Sequence, residues 1–162
     1  ATGAKEVLFG THAVQVLHKA NVPVLVIPGQ AAVSALKNIL FPTDFKQDFR
    51  TLKLEILKGI LERSGVSLHV LHTFTALDSS SERLENREFL KQLLESYKVI
   101  WSEQTEQDIV TAINRYASEI SVQLLVMVRN QHTFLENLLV TPVIDQIGFH
   151  TRIPFLVLPG DK

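Results

Sequence analysis

Apolar residues in this chain come in short solid runs separated by stretches of helical period. The runs are VPVLVIPG (22–29), KNILFPTDF (37–45), VSLHVLHTF (66–74), VIW (99–101), VQLLVMV (122–128) and IPFLVLPG (153–160). Each is strand-length, and their solid rather than alternating character fits strands buried on both faces. Between them the spacing changes. Residues 12–20 read as a short helix. Gln47–Arg63 carries Phe49, Leu52, Ile56, Leu57, Ile60 and Leu61 on a broad apolar face, with Gly65 as its stop. Ser79 precedes Glu82 at capping-box spacing and opens a helix to about Tyr97. Thr105–Ile120 places Ile109, Ile113, Tyr116, Ala117 and Ile120 on one stripe, and 133–149 reads as helix with a break at Thr141–Pro142. Strands that alternate with helices predict an α/β fold, an open doubly wound parallel sheet. Such sheets take ligands at the carboxyl ends of their strands, where the strand order reverses.

One strand occurs twice. At a constant offset of 131 positions, Pro23, Leu25, Val26, Pro28 and Gly29 match Pro154, Leu156, Val157, Pro159 and Gly160, and Leu8 and Gln15 match Leu139 and Gln146. A repeat of this kind marks duplicated units. The organisation expected is a remnant of a first unit at 1–30 (its last helix and last strand), a linker at 31–36 and a complete unit at 37–162. Roughly ninety-five residues of the first copy are then missing from the chain.

Composition narrows the classes. The 162 residues are 46% hydrophobic and 20% charged, which suits one or one and a half soluble domains. A net charge of −1 offers no general footing for nucleic acid or a membrane surface. There is no cysteine, which excludes disulfides and thiolate chemistry. The apolar runs fall short of the ~18 residues of a membrane span. ATGAKEVLFG lacks the basic and long apolar regions of a signal peptide, so the expected location is cytoplasmic.

GTHAVQVLHKANVPVLVIPG resembles the closing segment of a universal stress protein domain, KNILFPTDF its opening strand, and VQLLVMV through IPFLVLP its second half. The resemblance covers the whole chain, as a fragment of one domain plus a complete second one. It implies a Rossmann-like five-stranded parallel sheet of order 3-2-1-4-5, here with an extra N-terminal helix–strand remnant. It also implies last strands that pair antiparallel. Strands 22–27 and 153–158 are therefore expected to join, within one chain or in a homodimer. An apolar edge strand left unpaired is an aggregation hazard.

Many members of that family bind ATP through Gly-x2-Gly-x9-Gly-Ser/Thr after the fourth strand, and others have lost the motif. In the complete unit these positions fall on Val128, Gln131, Thr141 and Pro142. A phosphate cradle needs glycines so that backbone N–H groups can approach the anion, and proline has no N–H to give. Thr141–Pro142 reads instead as a helix start. In the remnant, Gly10 and Thr11 match the last Gly-Ser/Thr pair. Asp44 matches a first-strand aspartate that contacts the nucleoside in binding members. The favoured reading of Asp44 is nevertheless a turn residue that caps the following helix, since Asp bonds nearby backbone N–H groups readily. Arg129, Asn130, Gln131 and His132 follow the fourth strand and form either a cleft for an anion or a solvated loop.

The candidate site therefore comprises Gly10, Thr11, Asp44, Arg129, Asn130, His132 and Thr141, without catalytic or metal-binding residues. His69 and His72 lie three apart on a strand and face opposite sides, which argues against a metal site. Trp101 reads as a packing residue. No nucleophile elbow or Ser-His-Asp constellation can be argued. The expected function is a non-enzymatic stress-response module acting through dimerisation or partner binding, with a degenerate nucleotide site and no cofactor in this chain. The alternative is an ATP-binding regulatory protein whose intact site lies in the missing first unit. An enzyme of the wider adenine-nucleotide α-hydrolase type ranks last.

Overall fold

The computed structural model describes residues 11–32, 34–73, 80–105, 109–129 and 152–160. The elements are α1 (Thr11–Lys19), β1 (Val24–Val26), β2 (Asn38–Thr43), α2 (Glu55–Leu61), β3 (Ser67–Thr73), α3 (Ser81–Leu93), β4 (Val99–Gln104), α4 (Ile109–Ile120), β5 (Leu124–Arg129) and β6 (Phe155–Pro159). They form one sheet in the order β1-β6-β5-β2-β3-β4. The five strands from β2 onward pair in parallel and keep the expected order 3-2-1-4-5. The count differs from the expected five. β1 is a sixth strand of the same sheet, antiparallel to β6, with Leu25 opposite Leu156, Val24 opposite Val157 and Val26 opposite Phe155.

Alternation along the strands divides the buried side chains between two cores. On one face Ile39, Phe41, Leu68, Val70, Val126, Leu156 and Leu158 pack with Leu57 and Leu61 of α2 and Leu90 of α3. On the other, Leu40, Leu71, Leu125, Met127, Phe155 and Val157 pack with Leu17 of α1 and with Ile113, Tyr116 and Ala117 of α4. A sheet covered on both faces explains the solid apolar runs.

The helix expected over Gln47–Arg63 is corrected to α2, Glu55–Leu61. Local side-chain bonds win the preceding segment. Asp44 Oδ1 accepts from the Lys46 amide at 3.0 Å, Asp48 Oδ1 from the Arg50 amide at 2.9 Å, and Thr51 Oγ1 donates to the Asp48 carbonyl at 3.0 Å. Such bonds offer the backbone an alternative to the helical ladder. Phe49 and Leu52 are still buried, because the core needs their volume whatever their backbone does. Phe49 meets Phe41 and Phe45 edge-on at centroid distances of 6.2 and 6.3 Å. Gly65, at φ +81°, lies in the turn into β3 rather than directly after a long helix.

The third helix is capped by Ser80, whose Oγ accepts from the Arg83 amide at 3.4 Å, and it ends at Leu93 rather than near Tyr97. Ser79 and the helix expected at 133–149 lie outside the described residues. No described helix is long and apolar enough to cross a membrane.

Candidate functional site

The parallel strands all run toward one edge of the sheet, and order reverses between β2 and β5. These two strands pair only at Ile39–Leu124 and Leu40–Leu125. Beyond that their ladder stops, and Asp44 and Arg129 follow on either side. This is the crevice position of an open α/β sheet.

On the β2 side the turn is held firmly. Thr43 Oγ1 accepts from the Phe45 amide at 3.0 Å. Phe45 takes a left-handed φ of +57°, unusual for a bulky residue, and its ring is buried. Asn86, buried in α3, donates from Nδ2 to the Phe45 carbonyl at 2.9 Å. Asp44 therefore projects from a fixed turn. Its carboxylate accepts the Lys46 amide and lies 3.7 Å from Lys46 Nζ.

Next to this turn stands His72, at the end of β3, with its ring 4.7 Å from that of Phe45. Burial is the main cause that pushes its pKa down. Arg87 and Arg83 push the same way, while Glu103 and Asp44 oppose them. Arg87 Nη1 pairs with Glu103 Oε1 at 2.6 Å and its guanidinium lies 5.9 Å from the Phe45 ring centroid. The edge over β2, β3 and β4 is thus a mixed-charge cluster around an aromatic ring. Sequence reasoning missed it, because its members come from four separate elements.

On the β5 side Val128 is buried in the first core. Arg129 turns to the opposite face. Its side chain is buried, and Nη1 donates to the carbonyls of Leu17, at 3.2 Å, and His18. These are carbonyls of the last turn of α1, where a cation is favoured by unpaired C=O groups and the helix dipole. Thr11 begins α1. Gly10, Asn130, His132 and Thr141, together with Gln131 and Pro142, lie outside the described residues. Of the expected site residues, Asp44 and Arg129 flank the crevice. Each is bonded within its own surroundings.

His69 sits elsewhere, on the α4 face. Asn38 Nδ2 donates to the Ile120 carbonyl at 2.8 Å, so its Oδ1, 3.2 Å from His69 Nε2, is the acceptor there. His69 Nδ1 then accepts from the Tyr116 hydroxyl at 3.0 Å, and Tyr116 accepts from Ser102 Oγ at 2.9 Å. Asn38 Oδ1 thus calls for a proton on Nε2, and these directions at Nδ1, Tyr116 and Ser102 are those of the neutral ring, the form favoured by its lowered pKa. Burial, and then Lys98, lower its pKa. His69 and His72 lie on opposite faces, and no metal-holding group of three or more His, Asp or Glu occurs among the described residues. A shallow hollow lined by Arg63, Val66, Tyr97 and Lys98 lies at the amino ends of β3 and β4, away from the crevice.

Residues 35–159 match the model of the universal stress protein family. The chain belongs to that family. Solved structures of the family share its fold. A universal stress protein from Archaeoglobus fulgidus DSM 4304 superposes with a TM-score of 0.67 at 20% identity, over 97% of this chain and 57% of its own. A putative universal stress protein from Pseudomonas aeruginosa UCBPP-PA14 gives 0.59 at 22% identity, over 97% and 59%. A universal stress protein solved in complex with cAMP gives 0.54 at 16% identity, over 79% of this chain and 100% of its own. The chain thus spans somewhat over half the length of the first two. No curated protein matches it in sequence.

Proposed function

We propose that this universal stress protein chain is a non-enzymatic binding and assembly module in a stress response, with a degenerate nucleotide crevice. The observation that carries this is Arg129. The basic side chain that ends β5 is spent on the last carbonyls of α1 instead of on an anion. Val128 supports the same reading. It stands at the first glycine position of the phosphate motif, with its side chain packed into the core. Asp44, bonded to Lys46, is held as a turn residue. These residues do not fit a phosphate cradle, which needs close backbone approach and available donors. Residues 1–30 are the end of a preceding unit, 31–36 a linker and 37–162 the complete unit. Pairing of β1 with β6 is the means of assembly, supported by their antiparallel ladder.

Calorimetric titration of the folded chain with ATP and Mg²⁺ tests this reading. The expected result is no heat of binding. Micromolar affinity would overturn it.

A second reading is a nucleotide-responsive regulator whose intact site lies in the preceding unit. The relative solved with cAMP favours it, since a protein of this fold does hold a cyclic nucleotide. Nucleotide bound to the longer natural protein and absent from this chain would be its signature.

A further inference from the structure

His69 stands in the middle of a line of polar groups that crosses the sheet beneath α4. In register it lies between Leu40 of β2 and Ile100 of β4. Its ring and the Tyr116 side chain are buried, at 6% and 8% exposure. Nε2 lies 3.2 Å from Asn38 Oδ1, Nδ1 lies 3.0 Å from the Tyr116 hydroxyl, and that hydroxyl lies 2.9 Å from Ser102 Oγ. Ser102, on β4, is half-buried and ends the line on the hydroxyl side.

The two ends differ in chemistry. Asn38 is fixed, because its Nδ2 donates to the Ile120 carbonyl at 2.8 Å and turns Oδ1 toward the ring. Oδ1 therefore accepts the Nε2 proton whatever the charge of the ring. Hydroxyls stand at the other end, and a hydroxyl donates and accepts through the same atom. With the ring neutral, Ser102 donates to Tyr116 and Tyr116 donates to Nδ1. With the ring charged, Nδ1 donates to Tyr116 and Tyr116 donates to Ser102. Both arrangements use the same atoms at the same separations. A buried imidazolium is costly unless its N–H groups are bonded, and in the second arrangement both are.

The charges around the ring leave this line as its proton partner. β2 carries no charged residue. On β4, Glu103 lies on the opposite face, where it pairs with Arg87. On β3 itself, His72 faces that side too. On α4, Arg115 and Glu119 are exposed, and Arg115 Nη2 donates to Gln104 Oε1 at 3.1 Å. Burial, and then Lys98 just before β4, keep the His69 pKa low, and no described carboxylate acts on it.

We propose that Ser102 and Tyr116 form a reversible proton relay to His69, a pH-sensitive element that charges a buried ring while α4 stays in place. In the step, Ser102 Oγ takes a proton from a solvent hydronium ion as its own passes to Tyr116 Oη, and the Tyr116 proton passes to Nδ1. One proton enters, one arrives, and each O–H bond broken is replaced. The transfer itself reverses both hydroxyls. The hydrogen on Ser102 then points away from Tyr116, so this position of β4 turns from acceptor to donor toward its surroundings as pH falls.

The relay sets the sign of a mutational effect. Hydrogen bonds to a charged group are about twice as strong as neutral ones. A hydroxyl that serves both forms of the ring therefore favours the charged form, whereas one that only donates favours the neutral form. The test is an NMR titration of the His69 imidazole nitrogens in the whole chain, with amide exchange in α4 followed alongside. Tyr116→Phe should lower the pH at which His69 titrates, and Ser102→Ala should lower it by less. A rise or no change in either variant would overturn the proposal. The unmutated chain supplies a reading that does not depend on how the variants fold. Its Ala117 amide should stay protected with the ring fully charged. Loss of α4 protection in step with protonation of the ring would overturn the proposal, as would a ring that stays neutral until the chain unfolds.

Discussion

Arg129 Nη1, at the end of β5, donates to the Leu17 carbonyl, 3.2 Å away in the last turn of α1. The two residues stand 112 positions apart, and this bond, with its neighbour to His18, ties α1 to the end of β5. A buried cation is tolerable only where hydrogen bonds replace its hydration, and the unpaired carbonyls of a helix end supply them. The residue that ends β5 beside the crevice is therefore also the clasp of α1.

Arg129→Met keeps the apolar stem and removes the clasp. It should cost about 1–3 kcal/mol, the range for hydrogen bonds to a charged group plus orphaned carbonyls. Amide exchange in α1 and β1 should quicken before that of β2, β3 and β5. Uniform loss of protection across the sheet would mean that Arg129 supports the whole core rather than the docked helix.

Asn86 makes the second long-range tie. It is buried, and its amide holds the Phe45 carbonyl at 2.9 Å in a turn where Phe45 adopts a left-handed φ. Asn86→Leu would leave that carbonyl buried without its donor, at about 1–3 kcal/mol. The measurement is the urea midpoint, together with the chemical shifts of Asp44 and Lys46. Altered shifts with an unchanged midpoint would show that the turn relaxes freely and is not held by α3.

The apolar runs marked every strand of the sheet; in β2, β3, β5 and β6 the reason is cover on both faces, which demands apolar side chains throughout. The offset of 131 marked β1 and β6 as copies of one strand, and the family resemblance implied that they pair antiparallel. The segment 47–54 misled, since Phe49 and Leu52 keep helical spacing while Asp44 and Asp48 divert the backbone. Asp44 was legible as a turn former for the same local reason. Arg129 and Asn86 were not legible in their present roles. Arg129 read as part of an anion cleft or of a solvated loop, Asn86 carried no reading, and their partners lie 112 and 41 positions away. The His72, Arg87 and Glu103 cluster was hidden likewise, since it depends on strand order and on α3.

Neutral His69 sets a pH dependence. Its folded-state pKa lies below the ordinary 6.5, chiefly through burial, so the unfolded chain takes up a proton first as pH falls. Its stabilising contribution is complete above about 6.5 and is lost as pH drops from there to the lowered folded value. His72 is shifted in the same direction and adds to the slope. The urea midpoint should therefore be lower at about pH 5.5 than at about pH 7.5. His69→Gln should shrink that difference and leave the part due to His72. An equal difference in both proteins would assign the whole effect to other groups.

Gly160 shows why β6 is followed by glycine. Its amide donates to the Arg129 carbonyl at 2.8 Å, and a Cβ there would lie 2.3 Å from that same oxygen and 3.1 Å from Val128 Cγ1. The first contact is with backbone and cannot be relieved by a rotamer change. Gly160→Ala must therefore push the end of β6 away from β5, at a cost of about 1–3 kcal/mol, the range for overpacking a tight site. Shifting Arg129 also strains its bonds to Leu17 and His18, so the variant should loosen α1 as well as lower the urea midpoint. An unchanged midpoint with normal protection of α1 would show that the two strand ends separate without cost, and that Gly160 is not required for their close approach.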